Sequence, residues 1–277
     1  MSYRHSFHAG NFADVVKHVV LVEILNHMVQ KEKPFEYIDT HSGAGIYDFG
    51  SGNAQKLQEH ANGIGRLNEN DFPELAHYFK VIKSLNPSND LNVYPGSPVI
   101  AQYFLRPQDR AWLFELHPQD YELLRENTDK NRKTKVRCEN GFEGLNALLP
   151  PVSRRGVVLV DPSYEIKSDY ERVIEHIVRG YQKFSSGVYA IWYPVVDRRK
   201  IDAMESALIK SKIKNIQRFE LGIAEDSAER GMTASGMIVI NPPWTLFDKM
   251  SALLPKLAQR LTDDNVMHSK CDILSAE

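Results

Sequence analysis

Short apolar runs and amphipathic stretches alternate along nearly the whole chain, which predicts an α/β protein with a mostly parallel, seven-stranded sheet wrapped by helices. Two further observations agree. Runs such as Gly156-Val-Val-Leu-Val160 are apolar without a break, as strands covered on both faces must be. Several runs end in an acid or a glycine turn, which is how such sheets present a ligand crevice at their carboxyl edge.

The first helix is expected from about Asn11 to Val29, where Val15, Val16, Val19, Val20, Ile24 and Leu25 recur at helical spacing. Strand one is Phe35 to Thr40. Residues 47–94 are polar, rich in Asn and Gly, and carry no strong strand; Leu75, Phe79, Ile82 and Leu85 have helical spacing. This stretch is expected to be a small helical insert within a single domain spanning 1–277. Alternation resumes at Pro95-Gly-Ser-Pro98, with Ser97 expected as an N-cap and Pro98 at the first helical position. Strands follow at Ala111 to Leu116, Lys135 to Cys138, Val157 to Val160 and Gly187 to Tyr193, each leading into a helix. Two more strands, Ile216 to Leu221 and Gly236 to Ile240, precede a last helix from Thr245 to Leu261. The polar tail from Thr262 to Glu277 is expected to be loosely held.

Composition bounds the function. The 277 residues are 42% hydrophobic and 25% charged, an ordinary globular balance. With 34 basic against 36 acidic residues, a polyanion must be met by local patches. Cys138 and Cys271 have neither metal-ligand spacing nor a disulfide framework, so a reducing cytoplasm is expected. No stretch approaches the ~20 apolar residues of a membrane span, and the N-terminus lacks a signal-peptide core. His5-x-x-His8 lacks a third ligand at recognisable spacing, so no metal is expected. A monomer is the expected state.

Chemistry concentrates at Asp161-Pro162-Ser163-Tyr164, which closes the run Gly156–Val160. The acid is a fixed acceptor, the proline holds the backbone extended, and the aromatic offers a flat face to a nucleobase. Such a set suits an amino group on a base ring. The pattern resembles the Asp/Asn-Pro-Pro-aromatic catalytic loop of amino-methyltransferases that use S-adenosylmethionine. A competing copy, Asn241-Pro-Pro-Trp244, fits better by letter but comes two strands too late. The expected order is a glycine turn (Asp39 to Gly45), an acidic strand end (Glu115), a polar turn (Glu139-Asn140-Gly141) and then Asp161.

Gly43 lets the backbone pass close to a ligand, and Glu115 stands where ribose hydroxyls are read. The turn lacks the G-x-G-x-x-G pattern of nicotinamide enzymes. Lys17, His18 and His41 are candidates to donate to a bound carboxylate. Among the basic clusters, Lys130-Asn-Arg-Lys133 and Lys210, Lys212 and Lys214 read as solvated faces. Arg154-Arg155 and Arg198-Arg-Lys200 are better phosphate candidates, and only the second follows a strand onto the catalytic edge. Tyr3 and Arg4 form an aromatic-basic arm able to reach a nucleotide.

Longer blocks carry a more specific resemblance. Ser2-Tyr-Arg-His-Ser-Phe-His-Ala-Gly10, Tyr94-Pro-Gly-Ser-Pro98, Glu115-Leu-His-Pro118, Trp192-Tyr-Pro-Val195 and Gly231-Met-Thr-Ala-Ser-Gly236 resemble the large-subunit ribosomal RNA adenine-N6 methyltransferase J family, from residue 2 to about 250. The resemblance implies a Rossmann-like methyltransferase domain that uses S-adenosylmethionine and methylates one adenine of 23S rRNA. It implies that Lys17, His18, His41, Ser97, Glu115, Asn140, Gly141 and Asp161 surround the cofactor and that Tyr3 contacts the substrate. Asp161, Pro162 and Tyr164 are then the catalytic set. Two departures stand out: Asn140 replaces the family's Asp, and Ser163 replaces its second proline. A DNA adenine-N6 methyltransferase and a non-catalytic nucleic-acid-binding protein of the same fold are the alternatives. Replacing Asp161 with Ala is expected to abolish turnover while largely sparing cofactor binding; equal loss of both in paired assays would contradict that role.

Overall fold

In the computed structural model, which describes residues 8–50, 58–88, 90–129, 132–166, 168–227, 231–262 and 268–277, two central strands are buried along their whole length. The chain runs α1 (Phe12–Met28), β1 (Glu36–Asp39), β2 (Ile46–Asp48), α2 (Ala76–Leu85), β3 (Val93–Pro95), α3 (Ser97–Phe104), β4 (Arg110–Phe114) and α4 (Pro118–Thr128). It continues through β5 (Thr134–Arg137), α5 (Gly141–Leu148), β6 (Gly156–Val160), α6 (Asp169–Lys183), β7 (Val188–Val195), α7 (Arg198–Lys210) and β8 (Ile216–Gly222). The last elements are β9 (Ala234–Ile240), α8 (Leu246–Leu261) and β10 (His268–Ser275).

The main sheet has the order β10-β8-β9-β7-β6-β1-β4-β5. β1 pairs in parallel with both β4 and β6. The chain therefore winds outward through β4 and β5, then returns to the other side of β1 for β6 and β7. That reversal opens a crevice at the carboxyl ends of β1 and β6, where Asp39 and Asp161 stand. β9 is antiparallel to β7, with Ile240 opposite Tyr189 at the start of β7. Asn241 thus leaves the sheet at the edge opposite Asp161, as its late place in the chain suggested.

α1 lies across β7, β8 and β9, and fourteen of its seventeen residues are buried, Lys17 and His18 among them. Apolar residues around its whole circumference make it an interior helix, not an amphipathic surface one. Asn11 caps it by accepting from the Ala13 and Asp14 amides at 3.0 Å each.

Three sequence expectations are corrected. The sheet has eight strands, because the tail expected to be loose supplies β10, antiparallel to β8. Its polar residues are held by charge: Lys270 Nζ lies 3.3 Å from Glu220 Oε1, and Asp272 pairs with Arg218. Residues 47–94 contain, besides α2 and short 3-10 turns, the ends of a two-stranded antiparallel ribbon in which Ile46 faces Pro95. Ser97 is not an N-cap. Gly96 takes that position, and the Ser97 hydroxyl donates to Asp39 Oδ2 at 2.6 Å.

The insert is tied to the root of α1. Glu59 accepts from Asn11 Nδ2 at 2.9 Å and lies 3.0 Å from His8 Nδ1, while the Ile64 amide donates to the Gly10 carbonyl at 2.8 Å. At the far side of the sheet, β10 closes an edge that β8 would otherwise expose. A chain ending at Thr262 is expected to melt at least about 5 °C lower, roughly 2 kcal/mol for a protein of this size, and to aggregate on heating. Thermal melts with light scattering check this.

Candidate active site

Two adjoining cavities occupy the crevice. The larger, about 440 Å³, is lined by Lys17, His18, Gly43, Ser97, Glu115 and Asp161 among others. The smaller, about 180 Å³, adds Asn140, Gly141, Ile166 and Arg172; both share His41, Glu115, Leu116, Pro162 and Ser163, so they are lobes of one groove. Glu115, just past β4, is fixed by two backbone amides: Gly43 N donates to Oε2 at 2.8 Å and His117 N to Oε1 at 2.7 Å. Burial pushes its carboxyl up, and these donors offset part of that. Gly43 has φ +61°, and a side chain there would meet the Tyr47 hydroxyl at 2.4 Å.

The smaller lobe has an apolar mouth, since Leu116 and Ile166 are 63% and 61% exposed. Asn140 Oδ1 accepts from the Phe142 amide at 3.0 Å, so this residue caps α5 while it lines the lobe. Gly141 is there for packing, because a Cβ would lie 1.9 Å from the Thr40 carbonyl.

Lys17 is the electrostatic centre. Its ammonium lies 2.8 Å from Asp14 Oδ1 and 2.6 Å from Asp161 Oδ2, and its side chain is 4% exposed. Burial alone would lower its pKa, but Asp14 and Asp161 outweigh that and hold it well above the usual range. Two of its three hydrogens are thereby used, leaving one for a ligand in the cavity. His18 Nδ1 meets the Tyr94 hydroxyl at 2.9 Å, which in turn meets Tyr78 at 2.6 Å.

His41 stands between the two lobes. Burial first, then the nearby Arg172, pushes its imidazole down to about 3, so it is neutral at physiological pH. The Thr40 hydroxyl lies 2.8 Å from His41 Nδ1 and 3.1 Å from the Leu159 carbonyl.

A third cavity, about 380 Å³, lies beyond the Asp161 loop and is lined by Asp14, Tyr164, Tyr170, Trp192, Lys200 and Met232 among others. Ser163 and Glu165 line both this cavity and the larger lobe, so the loop after β6 is the wall between them. Tyr164 has φ +54° and donates its hydroxyl to the Trp192 carbonyl at 2.7 Å. Its ring lies 4.5 Å from Tyr170 and 5.9 Å from Trp192, centre to centre. The Trp192 indole N–H is buried without a hydrogen-bond partner among the described residues.

Several sequence candidates fall elsewhere. Arg198 is not a phosphate ligand: it clamps the buried Glu220 at 2.7 and 2.8 Å and Asp226 at 2.7 Å. Arg199 pairs with Asp197. Arg155 donates to the Met28 and Lys33 carbonyls, away from the crevice. Asn241 donates to the Ser185 and Gly187 carbonyls on the opposite edge. Tyr3, Arg4 and His5 lie outside the described residues. Asp14, Tyr170 and Trp192 were not among the sequence's site candidates, although Trp192 stands in one of the blocks that carry the family resemblance. Asp14 did leave a signal, an acid three residues before a lysine in an otherwise apolar helix. Among the described residues, no group of three or more His, Cys, Asp or Glu side chains is arranged to hold a metal, and no helix is long and apolar enough to cross a membrane.

Two stability predictions follow from these charges. Lys17→Met leaves two carboxylates buried without their cation and is expected to cost about 3–5 kcal/mol. Without the ammonium the folded-state pKa values of both acids rise, so the deficit grows as pH increases from 5 to 8; Asp14→Asn in the same chain recovers part of it. Asp39 is pushed up to about 6 by burial, against donors from Ser97, Tyr37 and the His41 amide. A raised carboxyl stabilises the fold at low pH and loses that contribution as pH climbs through its folded value. Ser97→Ala removes one donor and is expected to deepen the loss between pH 5 and 7 by about 1 kcal/mol. Denaturant titrations of each variant and the wild type across pH measure both effects.

Comparison with known proteins places this geometry in a lineage. The family model described as "Ribosomal RNA large subunit methyltransferase D, RlmJ" matches residues 32–272. The chain is 51% identical to the ribosomal RNA large subunit methyltransferase J of Haemophilus influenzae, over 95% of each protein. It is 49% identical to the Escherichia coli protein of that name, over 97% of each. The crystal structure of protein LPL1258 from Legionella pneumophila superposes with a TM-score of 0.88 at 37% identity, covering 96% of this chain and 98% of that one. Sheet, crevice and sequence agree: the chain belongs to the ribosomal RNA large subunit methyltransferase J family.

Proposed function

We propose that this protein transfers a methyl group from S-adenosylmethionine to the exocyclic N6 of one adenine in 23S ribosomal RNA. It does so in the cytoplasm, as a monomer with one catalytic domain and a helical insert at 47–94. The observation that carries the reading is the loop Asp161–Glu165, which separates the two-lobed groove from the aromatic cavity. Such a wall brings two ring-bearing ligands together at one carboxylate.

The donor set of the groove fits S-adenosylmethionine. Glu115, its orientation fixed by two amides, has lone pairs left for a ribose diol. Leu116 and Ile166 would flank its adenine ring in the smaller lobe, with Asn140 at the polar end. Lys17 and His18 would face its charged amino-acid end in the larger lobe, with His41 between the two. When bound, the cofactor supplies an electrophilic methyl group on sulfonium sulfur.

The chain's own residues prepare the nucleophile. An adenine N6 lone pair is delocalised into the ring and attacks poorly. Asp161 and the Pro162 carbonyl accept its two hydrogens, which fixes the nitrogen and draws its lone pair out of the ring plane. Tyr164, held by Trp192 and Tyr170, walls the base, which leaves its helix to enter the aromatic cavity. An acceptor on that base, placed near the Trp192 indole, relieves a buried donor whose isolation costs about 1–3 kcal/mol.

Lys17 bears on the proton's path. An ammonium at 2.6 Å favours the ionised form of Asp161, which makes it a fixed acceptor and a weak base. The N6 proton accordingly leaves after transfer, when the nitrogen carries positive charge and a weak base suffices. Ser163 loosens the loop relative to proline without removing either acceptor.

Methyl-labelled S-adenosylmethionine, incubated with unmodified 23S rRNA or duplex DNA and digested to nucleosides, is expected to give N6-methyladenosine from the RNA alone; label in DNA would replace the substrate class. Asp161→Asn is expected to slow transfer about 10²- to 10⁴-fold with cofactor affinity changed only a few-fold. Parallel kinetics and calorimetry decide that point.

A further inference from the structure

The aromatic cavity has one more feature that its proposed role does not use. Three carboxylates line it, Asp14, Glu165 and Asp197, yet a polyanion is its proposed guest. Lys200 is the only lysine or arginine among the described residues of that lining. Its neighbours in the Arg198-Arg-Lys200 run are spent on acids, Arg198 on Glu220 and Asp226 and Arg199 on Asp197. The Lys200 ammonium makes no hydrogen bond or ion pair among the described residues; it stands 4.9 Å over the Tyr170 ring.

We propose that Lys200, resting on Tyr170 at the side of the aromatic cavity, is the positioning residue that receives the phosphate of the target nucleotide. The inference rests on the reading of this cavity as the base pocket. Tyr164, Tyr170 and Lys200 form a continuous series, with rings 4.5 Å apart and the ammonium 4.9 Å beyond, running from the catalytic loop to the first turn of α7. A base against Tyr164 directs its sugar and phosphate along that series. Lysine suits a single phosphate there as a point charge, and the aromatic face keeps the flexible stem in place.

The full-length wild type, Lys200→Gln and Lys200→Arg separate the possibilities. Inhibition of rRNA methylation is measured with adenosine and with its 5′- and 3′-monophosphates. The wild type is expected to prefer one monophosphate over adenosine by about five- to tenfold, in line with one partly exposed ion pair. Lys200→Gln loses that preference while its adenosine inhibition stays within twofold, and Lys200→Arg keeps most of it. The RNA affinity of Lys200→Gln also loses close to one unit of salt slope. A monophosphate preference that persists in Lys200→Gln overturns the proposal and leaves the base pocket standing. Loss of adenosine inhibition in Lys200→Gln alone marks a merely structural lysine and also overturns it. Failure of adenosine to inhibit any of the three proteins removes the pocket reading, and this inference with it.

Discussion

Asp14, Lys17 and Asp161 are enclosed where α1 crosses the end of β6, two carboxylates sharing one ammonium at 2.8 and 2.6 Å. Removing any one leaves a buried charge uncompensated, so the helix and the strand end are held in one relative position. That position also sets Asp161 into the larger lobe, at the start of the loop that walls it off from the aromatic cavity. Fold and proposed chemistry therefore lean on the same three atoms, and a sequence that keeps the one keeps the charges of the other.

Much of this arrangement was legible in the residues. Short apolar runs gave β1, β4, β6 and β7 within a residue or two, because strands buried on both faces leave little choice of composition. The rank of Asp161 over Asn241 also came from order alone. Its physical basis is the antiparallel insertion of β9, which sends Asn241 to the wrong edge however well its letters match. Exposed there, Trp244 at 82% has no part in the crevice.

Other features were hidden because they depend on partners far along the chain. β10 reads as a polar tail, since an edge strand held by Arg218 and Glu220 needs few apolar residues. Arg198 looked free for phosphate until Glu220, on a later strand, was placed beneath it. Ser97 has the composition of a cap, but its hydroxyl donates to Asp39, on a strand far back in the chain. In each case pattern identified the residue and tertiary contact reassigned its role.

The ribbon of β2 and β3 holds the two ends of the insert side by side, so the loop between them can lengthen or shorten at small entropic cost. Glu59 grips His8 and Asn11 at the very start of α1, one turn before Asp14 and Lys17. Further along, Ile64 is held by the Gly10 carbonyl, Glu74 by Lys256, and Tyr78 reaches His18 through Tyr94. A displacement of this stretch is therefore felt along α1, the helix whose lysine stands against Asp161.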